Sequence, residues 1–70
     1  MKIIFTKHSL RRLKQRNIPV KAILDAAQNP QKTIKKHGKY YLQKKIENGT
    51  IKIVCERKTT TIKIITVYWL

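Results

Sequence analysis

Seventy residues, 17 of them Lys or Arg and three Asp or Glu, carry a formal charge of +14 with neutral His. That length holds one domain with a thin core, and Ile, Leu, Val and Phe, at 20 of the 70 residues, lift the chain above the apolar content at which a highly charged sequence stays unfolded. A single cysteine excludes a disulfide framework and a cysteine-based metal site; with no apolar run near ~18 residues and no signal-peptide pattern, the expected setting is cytoplasmic and away from membranes.

Ile3 to Thr6 is short and β-prone, and reads as a first strand. Thr6 then caps a helix over Lys7 to Arg16 whose apolar residues, Leu10 and Leu13, face the core. The helix stops near Asn17, which suits a left-handed cap, because Ile18 precedes Pro19 and a residue before proline leaves the helical region. A second helix starts at Pro19, carries an apolar stripe of Val20, Ile23, Leu24 and Ala27, and ends at Asn29-Pro30. Thr33 to Lys36 is a short strand, followed by a tight turn at His37-Gly38 and a strand over Lys39 to Glu47. Asn48-Gly49 predicts a type I′ hairpin turn into Thr50 to Glu56, a strand in which Ile51, Ile53 and Cys55 alternate with polar or outward residues. Arg57 to Thr60 is a turn. The last strand, Thr61 to Trp69, is apolar on both faces in its second half and belongs in the sheet interior. The order β-α-α-β-β-β-β predicts one α+β domain over residues 1–70, with two N-terminal helices packed on one face of a mostly antiparallel, four- to five-stranded sheet.

Unbroken alternation along the last strand has a consequence for partners. If Ile51, Ile53, Ile62 and Ile64 face the helices, then Val54, Ile65, Val67 and Trp69 face outward, an apolar patch suited to a partner chain or a second copy.

The charge calls for a polyanion, with nucleic acid first and an acidic protein second. On the first helix His8, Arg12 and Arg16 are spaced i, i+4, i+8 and form one ridge beside the core edge. Adjacent cations repel, and a phosphate relieves that repulsion. Arg holds phosphate bidentately and an imidazole moves protons near neutral pH, so the ridge has the parts for RNA cleavage by attack of a 2′-hydroxyl. On spacing alone, a solvated basic helix face is the stronger reading. Elsewhere Arg11, Lys39, Arg57 and Lys58 are candidate phosphate contacts, and Tyr40 a candidate stacking residue beside a basic turn. Sheet-edge packing of Tyr40 and Tyr41 is an equal alternative. His37 reads as a solvated turn residue and Cys55 as a small core residue. With glycine only at positions 38 and 49, no glycine-rich nucleotide loop exists, and neither a cofactor nor a metal is expected.

The stretch from His8 to Ile18 reads H-x-x-x-R-x-x-x-R-x-I; it is followed by a helix ending in Asn29-Pro30, a tyrosine pair, an Asn-Gly hairpin and a closing Ile65-Thr66-Val67-Tyr68-Trp69. This order resembles a small prokaryotic family of RelE-like and BrnT-like toxins, grouped with the barnase–EndoU–colicin–RelE ribonuclease fold. The resemblance covers nearly the whole chain. It implies a RelE-like fold and a metal-independent endoribonuclease, the toxin of a toxin–antitoxin pair, acting on free or ribosome-bound RNA and held by an acidic antitoxin. A homodimer, and a binding module for nucleic acid or ribosomes without catalysis, are the alternatives. By motif position the implied catalytic residues are His8, Arg12, Arg16 and Tyr68, with Thr66 beside it. The three acids, Asp25, Glu47 and Glu56, lie off the ridge, which leaves His8 as the proton-transfer group and the two arginines as clamps.

Overall fold

The computed structural model describes residues 2–70. Five strands and two helices follow one another as β1 (Lys2–Phe5), α1 (Lys7–Gln15), α2 (Val20–Gln28), β2 (Lys32–Lys36), β3 (Lys39–Ile46), β4 (Gly49–Arg57) and β5 (Thr61–Trp69). The strands form one sheet in the order β1-β5-β4-β3-β2. β2 to β5 are an antiparallel meander, and β1 adds parallel to β5, from Lys2 opposite Thr61 to Phe5 opposite Ile64. The chain is therefore an α+β domain in two layers, with β5 in the sheet interior as its two apolar faces demand.

Both helices share one core with one face of the sheet. Leu13 from α1 and Ile23, Ala26 and Ala27 from α2 close over Leu42, Ile51, Ile53, Cys55, Ile62, Ile64 and Val67, all buried. Burial raises the Cys55 thiol pKa, so the residue behaves as a small apolar filler. The helix stripes are turned from the expected positions. Leu10 is 41% exposed, Val20 44% and Leu24 37%. On α2 the small Ala26 and Ala27 side chains face the sheet beside Ile23 and let the helix backbone approach, which rotates Val20 and Leu24 toward solvent.

The end of α1 is a complete Schellman motif. Asn17 takes φ 51, its amide donates to the Lys14 carbonyl, and the Ile18 amide donates to the Leu13 carbonyl at 2.9 Å. Leu13 and Ile18 then meet in the core. Pro19 flanks α2 as an extended N-cap at φ −64 rather than as its first helical residue.

Two expectations about the strands change. The turn with two left-handed residues is His37-Gly38, at φ 52 and 75, between paired Lys36 and Lys39. In the β3–β4 hairpin Ile46 pairs with Gly49, so the turn residues are Glu47 and Asn48, and only Gly49 has positive φ, at 143. The second change is a bulge. Val54 pairs with Thr66 and Cys55 with Ile64, which leaves Ile65 as an extra residue in β5. Alternation breaks there. Val67 and Trp69 turn to the helix side, opposite Ile53 and Ile51, where Val67 is buried and Trp69 packs on the core. The expected outward patch with Val67 and Trp69 does not form.

Candidate nucleic-acid interface

The ridge of α1 depends on how the helix is fixed. At its start the Ser9 amide donates to Thr6 Oγ1 at 3.0 Å, while Thr6 Oγ1 donates to the Ile64 carbonyl at 3.0 Å. Thr6 thus caps α1 and ties it to the bulge, taking over the β5 carbonyl at the point where β1 ends. Ser9, fully buried, donates its hydroxyl to the Thr6 carbonyl at 2.8 Å. At the other end Arg16 Nη1 donates to the Val67 carbonyl at 2.6 Å, and Trp69 Nε1 donates to the Arg16 carbonyl at 2.6 Å. Both ends of the helix are pinned to β5.

This anchoring divides the predicted ridge. His8 and Arg12 lie side by side toward solvent, with Arg12 Nε donating to His8 Nε2 at 3.4 Å and Arg12 Nη1 to Gln15 Oε1 at 3.0 Å. His8 Nε2 is an acceptor in this pair, which puts the proton of the neutral ring on Nδ1. Arg16 is half-buried and its guanidinium is engaged by Val67. Tyr68 alternates with Val67 and Trp69 and so lies on the helix-free face, where it pairs with Lys52. Thr66 lies on that face too, opposite Val54. The structure therefore brings together His8 and Arg12 only; Arg16 sits next to them in a structural bond, and Tyr68 is on the other side of the sheet.

The remaining candidates scatter. Arg11 is exposed on α1. Lys39 faces the helix-free side, opposite Lys36. Tyr40 is on the helix side, packed against the core, with Arg57 4.7 Å and Lys35 5.5 Å from its ring centre. Both cations are within cation–π distance of the ring. Lys58 is exposed in the β4–β5 turn, its amide donating to the Thr61 carbonyl at 2.9 Å.

Of the tyrosine pair, the one turned away from the core is Tyr41 rather than the expected Tyr40. Tyr41 is on the helix-free face with Lys52 5.7 Å from its ring centre. Ile34, Lys36, His37, Tyr41 and Lys52 line an open depression of about 380 Å³ there. Strand alternation was the available signal: once Leu42 is assigned to the core, Tyr41 must face away from it.

Among the described residues one ion pair forms, Lys44 to Asp25 at 2.6 Å on the helix side. The Lys44 ammonium, chiefly by donating a hydrogen bond, holds the Asp25 carboxyl below its ordinary value against the opposing effect of desolvation. No three His, Cys, Asp or Glu side chains cluster as a metal site among those residues, and no helix there is long and apolar enough to cross a membrane.

A family model described as a domain of unknown function, DUF4258, matches residues 5–69. The chain belongs to this family. The DUF4258 match runs from the end of β1 through both helices to the end of β5, so it takes in the capped helix, the bulge and the helix-free face together. No curated protein and no solved structure matches the chain.

Proposed function

We propose that this DUF4258 protein binds RNA and cleaves it without a metal ion, as the toxin of a RelE-like or BrnT-like toxin–antitoxin pair in the cytoplasm. The observation that carries the reading is the exposed His8–Arg12 pair on a helix pinned at both ends. Its chemistry is self-consistent. In the free protein Arg12 occupies the lone pair of His8 Nε2. A phosphate draws the Arg12 guanidinium to itself, because a charge-assisted bond to an anion outcompetes a long bond to a neutral nitrogen. That frees Nε2 to take the proton of a 2′-hydroxyl as its oxygen bonds to phosphorus; the P–O5′ bond breaks, the imidazolium so formed returns its proton to the leaving 5′-oxygen, and Arg12 holds the charge building on phosphorus. Arg16 acts through the helix as a positioning residue, and Tyr68 takes no part in proton transfer. The antitoxin is an acidic chain that covers the ridge by charge, and Val67 and Trp69, turned to the helix side, are not part of its contact.

A binding module without catalysis is the second reading. It is favoured by the separation of Tyr68 from His8 and by the engagement of Arg16, which leave one proton-transfer group where cleavage needs two roles filled.

The test is cleavage of an RNA oligonucleotide in EDTA by wild type, His8→Ala and Arg12→Ala. Wild-type cleavage leaving 2′,3′-cyclic phosphate ends, reduced at least a hundredfold in His8→Ala, supports the ribonuclease reading. Cleavage absent on free and on ribosome-bound RNA, with binding intact, replaces it with the binding module.

A further inference from the structure

We infer that the helix-free face of the sheet is a stacking platform for single-stranded nucleic acid, with Tyr41 and Tyr68 each taking a base and Lys52 between them taking the phosphate. The inference rests on the RNA-binding part of the proposed function and is independent of cleavage.

The register places the three residues. Lys52 on the central strand β4 pairs with Tyr68 of β5 on one side and with Gln43 of β3 on the other. Tyr41 lies two residues along β3 from Gln43, with its ring centre 5.7 Å from Lys52 Nζ. From a strand spacing of ~4.8 Å and a rise of ~3.4 Å per residue, the two tyrosine backbones stand about 12 Å apart on the diagonal. Both rings are partly exposed, and Val54, almost fully buried, makes an apolar floor between them. An aromatic, a cation and an aromatic in that order match the base–phosphate–base repeat of a polynucleotide.

Charge complementarity selects the occupant. Every strand sends a lysine to this face: Lys2, Lys63, Lys52, Lys39 and Lys36 in order across the sheet. Glu56 is the one carboxylate there, since Asp25 is paired on the helix side and Glu47 lies in a turn. The depression at Lys36 and His37 continues the path from Tyr41 toward the β2 edge. Paired bases inside a duplex cannot present their flat faces to Tyr41 and Tyr68, whereas splayed bases can. The face therefore takes a single strand and tolerates any base. An acidic polypeptide satisfies the lysines but makes no use of two rings set on either side of one of them.

The experiment measures binding of fluorescein-labelled oligouridylate and oligothymidylate of about twelve nucleotides, in EDTA, to wild type and variants. The DNA strand has no 2′-hydroxyl, so its binding is read apart from cleavage. Tyr41→Leu and Tyr68→Leu are each expected to weaken both strands about tenfold, with Tyr41→Phe and Tyr68→Phe restoring affinity. Lys52→Gln is expected to weaken binding more than Lys21→Gln, which removes the same charge from the exposed surface of α2. Amide shifts of the wild type on adding oligothymidylate provide a measurement that needs no variant, and they are expected at Tyr41, Lys52 and Tyr68. Leucine variants that bind like wild type, shifts confined to α1, or equal losses from Lys21 and Lys52 overturn the inference. So does polyglutamate displacing the oligonucleotide at matched charge concentration, an outcome that reassigns the face to an acidic protein. Loss of cleavage with these binding results intact overturns the ribonuclease reading alone.

Discussion

Arg16 shows how far a residue's role can depart from its spacing. On a helical wheel it belongs with His8 and Arg12, yet its guanidinium is spent on a carbonyl 51 residues away, and its own carbonyl receives the Trp69 indole. Removing it leaves the half-buried Val67 oxygen without a charged donor, a loss of about 1.5–3 kcal/mol. For a domain of this size about 1 kcal/mol moves the melting temperature by roughly 4–8 °C. Arg16→Ala is thus expected to melt well below wild type in a circular-dichroism scan, and Arg16→Lys to recover little, because an ammonium lacks the planar fork that reaches along the strand. His8→Ala, on the exposed side, is expected to melt like wild type. An Arg16→Ala protein with wild-type stability and weakened RNA binding would return Arg16 to the ridge. The residues legible in the sequence were those whose role is local: Thr6 as a cap, Asn17 in the left-handed region, Cys55 as a core filler. Arg16 and Tyr68 were not legible, because their partners are set by how α1 meets β5.

Between elements, the same distinction recurs. The order of strands and helices follows from turn residues and periodicity, and each strand stands within a residue or two of where the pattern puts it. The bulge does not follow from either. Ile64 and Ile65 are equally apolar, so nothing in that pair says which one is skipped; what decides it is that β1 stops at Phe5 and Thr6 bonds to the Ile64 carbonyl. One extra residue then sends Val67 and Trp69 inward, removes the expected apolar patch and leaves Tyr68 beside Lys52. The two hairpins carry a similar lesson. Asn-Gly is the stronger textual signal, but its register puts Gly49 in the strand against the Trp69 ring, while His37-Gly38 makes the turn with two positive φ angles. The Schellman end of α1 gives the sharpest test at this scale. At φ 51 an alanine carries a left-handed cost of about 1–2 kcal/mol and glycine carries none. Asn17→Ala is expected to lower the urea midpoint clearly, and Asn17→Gly to hold or raise it. Equal midpoints for the two would mean that the residue is not held left-handed.

Taken whole, the molecule is a thin core under strong self-repulsion. Its net charge of +14 is offset among the described residues by a single ion pair, and the lysines of the helix-free face have no helix above them. Repulsion of that kind opposes the compact state, and it is screened by salt. Between 0.01 M and 0.15 M ionic strength the Debye length falls from about 30 Å to about 8 Å, from beyond the width of the sheet to less than two strand spacings. The melting temperature is therefore expected to rise with sodium chloride over that range. A single-stranded oligonucleotide at micromolar concentration is expected to raise it further than salt alone, since a ligand bound only by the folded state adds its own linkage free energy. The two effects oppose each other when combined, because salt that screens the protein also weakens the strand's hold on it. The stabilisation by oligonucleotide should accordingly be largest at low salt and shrink as salt rises, while the stability of the free protein climbs. Scanning calorimetry across that grid separates the alternatives: a free protein that loses stability with salt would mean that its charges attract on balance, which one ion pair among 17 cations cannot supply.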